Sequence, residues 1–266
     1  MTKDPSWPEL LEASQPKQHI LQLYLCRDEA FFGRAVALFA ASGLKKQEGV
    51  ILVSTKAHWS TLSPLLESHG IDVPAAQARG QLSIVDAEDT LPRFMVNGMP
   101  DAPGFKRIAG EVIGRVRRSG YAKIRWWGEM VNLLWEAGNI QGFIRLEELF
   151  DEVGQEHALA IFCSVVMDPF DIEAHDVGLP GALKTHSHLI PVEHARRLEE
   201  SMNRAMVDVL GAEKAAGLTV LIGKSQNPYA HVPAPQAAIL WLKRLADGYA
   251  AAILAQARRY YYEPAS

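Results

Sequence analysis

Five short apolar runs, each followed by a segment of helical periodicity, constrain this chain more than any other feature. They are HILQLYL (residues 19–25), GVILVST (49–55), QLSIVDA (81–87), AKIRWWG (122–128) and ALAIFCSVV (158–166). Each is too short to display a helical period, and polar or glycine residues bound it, which is the pattern of a buried strand. Between the first two runs, Phe31, Phe32, Ala35, Val36 and Phe39 recur on one face of a helix expected over 28–42. Gly43 is expected to end that helix. Further helices are expected over 59–68, ending at Gly70, and over 103–118, ending at Gly120. EMVNLLWEAG and GFIRLEELFDEVG read as two consecutive helices before the fifth run.

Strands alternating with helices imply parallel pairing through right-handed crossovers. The expected fold class is therefore α/β: a mainly parallel central sheet with helices on both faces, over residues 19–170. Residues 1–18 read as a polar leader with one short helix at 8–13. Residues 171–266 read as a helical C-terminal extension. Its best-marked helix spans 193–211, with Ala195, Leu198, Met202, Met206 and Val209 at apolar spacing. A second helical stretch begins at Pro233 and Pro235, with Gly248 as a candidate break.

Open parallel sheets bind ligands outside the carboxyl ends of their strands. That rule selects Cys26 and Arg27 after the first strand, Thr55, Lys56 and His58 after the second, and Asp86 after the third. It selects Glu129 after the fourth and Cys163 at the fifth. The first crossover, LCRDEAFFGRA, has the position of a phosphate-binding loop without its chemistry. Such a loop needs glycines that let backbone N–H groups wrap phosphates, then Lys followed by Ser or Thr. Here the single glycine, Gly33, falls inside the expected helix, and Asp28 and Glu29 stand at its start. Those carboxylates suit the helix dipole and would repel a phosphate. No other crossover carries a glycine-rich motif.

Composition narrows the classes further. A net charge of −4 argues against a dominant nucleic-acid surface, which would require clustered Lys and Arg. Arg115, Arg117 and Arg118 form one local basic patch, read as a solvated helix end. Two cysteines are too few for a secreted disulfide scaffold, so a reducing compartment is expected. No apolar run approaches the roughly 20 residues needed to cross a bilayer, and the N-terminus lacks a signal-peptide pattern. A cytoplasmic location is the resulting expectation.

One stretch is more specific. RWWGEMVNLLWEAG (125–138), with LEEL (146–149) shortly after it, resembles the MEDS sensory domain family (methanogen/methylotroph, DcmR). GQLSIVDAEDTL (80–91) supports the resemblance, which covers residues 19–166. THSHLIP (185–191) resembles the segment often found C-terminal to such domains. The resemblance implies a RecA/KaiC-like fold without its ATP-binding loop. It also implies a role in sensing small molecules such as hydrocarbon derivatives, within transcription regulation and signal transduction. No helix-turn-helix or kinase motif set accompanies it, so output through the C-terminal helices is expected.

Alternatives stay open at individual residues. Glu129 is either a ligand-facing carboxylate or an acid serving a helix N-terminus. Arg125 pairs with Glu129, with an anionic ligand, or in a structural salt bridge. Cys26 and Cys163 sit on strands that could be neighbours; they pack, form a redox pair or hold a soft metal. His186-x-His188 is the best adjacent pattern for a metal, yet it lacks companion ligands, so no metal and no cofactor is assigned. His58 is a handle in a ligand pocket or a surface residue. Trp126, Trp127 and Trp135 line an apolar pocket or belong to the core. No Ser lies in G-x-S-x-G, so no catalytic residue is assigned. The expected function is a non-catalytic sensor taking a small molecule or partner at the carboxyl edge, with a signalling partner and a homodimer as possible associations. Its alternatives are a degenerate nucleotide-binding enzyme using Lys56, Asp86 and Glu129, and a protein-interaction scaffold.

Overall fold

A computed structural model describes residues 6–24, 29–168, 170, 178–224 and 230–263. In chain order the elements are α1 (Trp7–Glu12), β1 (His19–Tyr24), α2 (Glu29–Lys45), β2 (Gly49–Ser54), α3 (Lys56–Ser68), α4 (Val73–Ala78) and β3 (Leu82–Asp86). Then come α5 (Ala87–Thr90), a 3₁₀ turn, the small hairpin β4 (Met95–Val96) and β5 (Met99–Pro100), α6 (Ala102–Arg118) and β6 (Ile124–Gly128). They are followed by α7 (Met130–Glu136), α8 (Ile140–His157), β7 (Ala160–Val166), α9 (Gly178–Thr185) and β8 (His188–Leu189). Four helices close the chain: α10 (Ala195–Leu210), α11 (Ala212–Lys224), α12 (Ala234–Leu245) and α13 (Asp247–Tyr262).

Six strands form one parallel sheet in the order β3-β2-β6-β7-β1-β8. The five apolar runs are its five longer strands. Period-two alternation divides their side chains between two cores. Leu21, Ile51, Val53, Trp126, Ile161 and Cys163 face α6, α8 and α9. Ile20, Val50, Leu52, Trp127 and Phe162 face α1, α2 and α3. Because both faces are covered, the strands read as unbroken apolar runs rather than alternating ones. The fold is the expected α/β class, a parallel central sheet with helices on both faces and further helices after the sheet.

Three local expectations change. Gly43 does not end its helix; α2 continues to Lys45. A Cβ at residue 43 would stand 2.6 Å from Cδ of Arg125, so close approach, not termination, requires glycine there. The leader is not merely polar. Leu11 is fully buried, Trp7 meets Phe31 edge-on with ring centroids 5.3 Å apart, and α1 packs on α2. The division near the C-terminus falls at Ala246, between α12 and α13, rather than at Gly248.

The sheet layer also runs past residue 170. Leu179, Ala182, Leu183 and Leu189 join the core on the α8 face. β8 pairs with β1, and the His231 backbone continues the ladder through bonds to Ser187 and Leu189. The terminal helices build a third core from Leu198, Met202, Met206, Leu242, Ile253 and Leu254. Polar ties hold it to the sheet. Gln236 Nε2 donates to the Ile190 carbonyl at 2.9 Å, Arg258 pairs with Asp168 at 2.9 Å, and Arg34 pairs with Glu193. Among the described residues, no helix is long and apolar enough to cross a membrane.

Candidate functional site

Adjacent strand ends bring together the residues chosen after the second, third and fourth strands. β2 lies between β3 and β6, so Thr55, Asp86 and Glu129 meet at one carboxyl edge. Glu129 occupies the N-cap position of α7, but its side chain makes no capping bond there. Its carboxylate crosses to the neighbouring junction. One oxygen accepts from the Thr55 N–H, and the other pairs with Nδ1 of His58. Thr55 caps α3 in turn, its hydroxyl accepting from the His58 N–H at 3.2 Å. Glu129 does not cap its own helix; it is a clamp between two strand-to-helix junctions, and its side chain is only 3 % exposed.

His58 stands between this carboxylate and an aromatic group. Its ring lies 4.9 Å from that of Phe32, which stacks on Tyr24 at 4.6 Å. The hydrogen bond to Glu129 raises the His58 pKa above its ordinary value against the opposing effect of burial, and the charges of Glu129, Glu29 and Glu136 add to it. Lys56 and Asp86 form a looser pair at 3.6 Å, and Asp86 also caps α5 by accepting from the Asp89 N–H at 2.9 Å. The Lys56 side chain is exposed.

Other selected residues lie elsewhere. Arg125 is at the opposite end of β6 from Glu129 and is 1 % exposed. Its guanidinium donates to Glu48 at 2.6 Å and to the carbonyls of Leu11, Glu12 and Phe39. Of the openings left for it, the structural salt bridge is the one formed. Cys163 is not at a strand end; it lies mid-strand in β7, opposite Leu21 of β1. Those two strands are indeed neighbours, as anticipated for the two cysteines. Cys26 and Arg27 lie outside the described residues. Trp127 is core and donates to Ser164, which donates to Gln22, both at 3.0 Å.

Trp126 is different. With Val53, Val85, Thr90, Phe94, Phe105, Ile108, Ala109, Val112 and Met130 it lines a cavity of about 10 Å³ between the sheet and α6. That is room for one water-sized group. The lining is apolar, yet the buried Nε1–H of Trp126 has no hydrogen-bond partner.

A second polar group was only half legible in the sequence, which singles out Cys163 and His186 but neither His19 nor Glu147. His19, Glu147, Cys163 and His186 are all buried, and one ligating atom from each lies within 4.8 Å of the others. Burial shifts all four toward their neutral forms. Glu147 is raised to about 8, Cys163 is pushed up, and His19 and His186 are pushed down. His188 does not join them; it lies beside Gln18 and His231. A signal for Glu147 was present, since an acid interrupts the apolar stripe of Phe143, Leu146 and Phe150 on α8. His19 carried no such signal, being one polar residue opening a strand.

A parallel sheet with paired crossovers at its carboxyl edge, and no phosphate-binding motif in its sequence, defines a P-loop-less α/β domain. The family model for MEDS, the methanogen/methylotroph, DcmR sensory domain, matches residues 18–186, and the chain belongs to that family. The match spans β1 to the end of α9, including all four residues of the buried His/Glu/Cys group. No curated protein matches the chain.

Proposed function

We propose that this chain is a sensory and regulatory module whose sheet domain takes a small, mostly apolar molecule bearing one hydrogen-bond acceptor. The observation that carries this reading is the small apolar cavity lined in part by Trp126, whose indole N–H is buried and unpaired. Buried donors rarely stay unpaired, and a small pocket with few polar groups suits a hydrocarbon derivative. The family's sensory role supports it.

The cavity connects to the carboxyl edge through Met130, which lines it and directly follows Glu129. A molecule larger than one water-sized group displaces Met130, and so disturbs the Glu129–Thr55–His58 clamp. Lys56 and Asp86 lie beside that clamp and complete the responding edge. The terminal helices carry the output. Val207, Val220 and Tyr249 expose apolar surface on them, which suits a second copy or a signalling partner.

The test is thermal denaturation of the full chain with dichloromethane, methanol and 1-propanol as probes. At least one should raise the melting temperature by mass action, and Trp126→Phe, which removes the N–H donor, should reduce that rise for probes with an oxygen acceptor. Equal behaviour of the variant and the parent, with no stabilisation of either, contradicts the reading.

A further inference from the structure

The buried group around Glu147 has the distances and the chemistry of a ligand set. His19 Nε2 lies 3.3 Å from Cys163 Sγ and 3.7 Å from Glu147 Oε2, and His186 Nε2 lies 3.7 Å from the same oxygen. In a tetrahedral site with metal–ligand bonds of about 2.0–2.3 Å, ligand atoms stand about 3.3–3.8 Å apart. Both Glu147 oxygens and His186 Nε2 are buried without a hydrogen-bond partner. Native interiors almost never leave several polar atoms in one place unpaired, unless a missing ion or water pairs them.

The surroundings fix which nitrogen is free. Nδ1 of His186 is 2.7 Å from the Ala182 carbonyl, so that nitrogen carries the proton and Nε2 presents its lone pair toward Glu147. On the far side of His19, Asp151 Oδ1 lies 3.9 Å from Nδ1, an ion-pair distance rather than a hydrogen bond. The charges also balance. One thiolate and one carboxylate offset a divalent cation, and the two imidazoles add none. Two nitrogens, one sulfur and one oxygen suit an ion of borderline softness.

We propose that His19, Glu147, Cys163 and His186 together bind one divalent transition-metal ion of the Zn²⁺ or Fe²⁺ class. All four side chains are buried and all four positions are protein-supplied, so the site is closed and structural rather than catalytic. It joins β1, α8, β7 and the α9–β8 junction at one point. The inference is independent of the small-molecule reading, since these residues do not line the Trp126 cavity.

The test is metal analysis of the purified full chain, grown with Zn²⁺ and Fe²⁺ supplied, beside refolding of the same chain with Co²⁺. About one equivalent of ion per chain is expected, and the Co²⁺ form should show thiolate-to-metal charge transfer with tetrahedral visible bands. Cys163→Ser should lose the charge-transfer band. His186→Gln should lower metal retention at least tenfold, which serves should the serine variant fail to fold. A folded chain without metal and without the cobalt spectrum overturns the proposal. So does a metal content unchanged in both variants, because the ion is then held elsewhere.

Discussion

Arg125 shows how one side chain can be singled out from sequence while its partner stays open among Glu129, an anionic ligand and a structural salt bridge. The register decides for the salt bridge by turning it toward α1 and α2, where Glu48 and three carbonyls take its donors. Breaking a buried pair by removing one partner leaves the other charge uncompensated. Arg125→Ala should therefore cost about 3–5 kcal/mol in urea denaturation. Gly43→Ala should cost about 1–3 kcal/mol, because the new methyl meets a guanidinium stem that cannot move without losing those bonds. His58 makes the pH prediction. Its folded pKa is raised by Glu129, with Glu29 of α2 and Glu136 of α7 also facing it and Phe32 covering its ring. The protonated form is thus favoured by folding. That stabilisation is complete below the unfolded value of about 6.5 and is lost as pH rises through the higher folded value. Stability measured across neutral pH should fall for the parent chain. In Glu129→Gln that slope should flatten, and the His58 titration followed by NMR should move down.

At the scale of elements, the strands were legible because both faces of a parallel sheet are covered, so each strand becomes an apolar run bounded by polar residues. The longer helices were legible from their stripes; Leu198, Met202 and Met206 are core positions of α10 as their spacing suggested. What escaped was short or non-local. β8 has two residues and exists because β1 offers an edge. α1 looked like a leader because only Leu11 and its neighbours are apolar, while its stability comes from outside. Its last carbonyls, of Leu11 and Glu12, are taken by Arg125, and Lys46 Nζ donates to Glu12 at 2.6 Å. Leu11→Ala should accordingly cost about 2–5 kcal/mol in the same denaturation series, as for a core leucine rather than a leader residue. The His/Glu/Cys group could not be assembled from the sequence for a related reason, although Cys163 and His186 are each singled out there. Its members come from four separate segments, and only the fold brings them within reach.

The whole molecule is a two-faced sheet with a helical bundle tied to its edge. Among the described residues, the ties include β8, the His231 backbone and the side-chain pairs Gln236–Ile190 and Arg258–Asp168. A chain ending at residue 170 lacks α9 and β8, which contribute Leu179, Leu183 and Leu189 to the core, and should be insoluble or unfolded by circular dichroism. One ending at residue 192 keeps them and should retain the sheet, with a lower melting temperature from the lost bundle contacts. Equal stability of the two truncated chains would show that the sheet closes without β8.

In the proposed function, the sheet receives a small neutral molecule beside Trp126, and not at the β1–α2 crossover, the position at which phosphate-binding α/β folds grip a triphosphate. Crystals of the full chain, soaked separately with dichloromethane and with a non-hydrolysable ATP analogue plus Mg²⁺, decide between the two. Density for the small probe beside Trp126, and none for the nucleotide, is the expected outcome. A triphosphate bound at the crossover between β1 and α2, with the cavity at Trp126 unchanged, would refute the proposal.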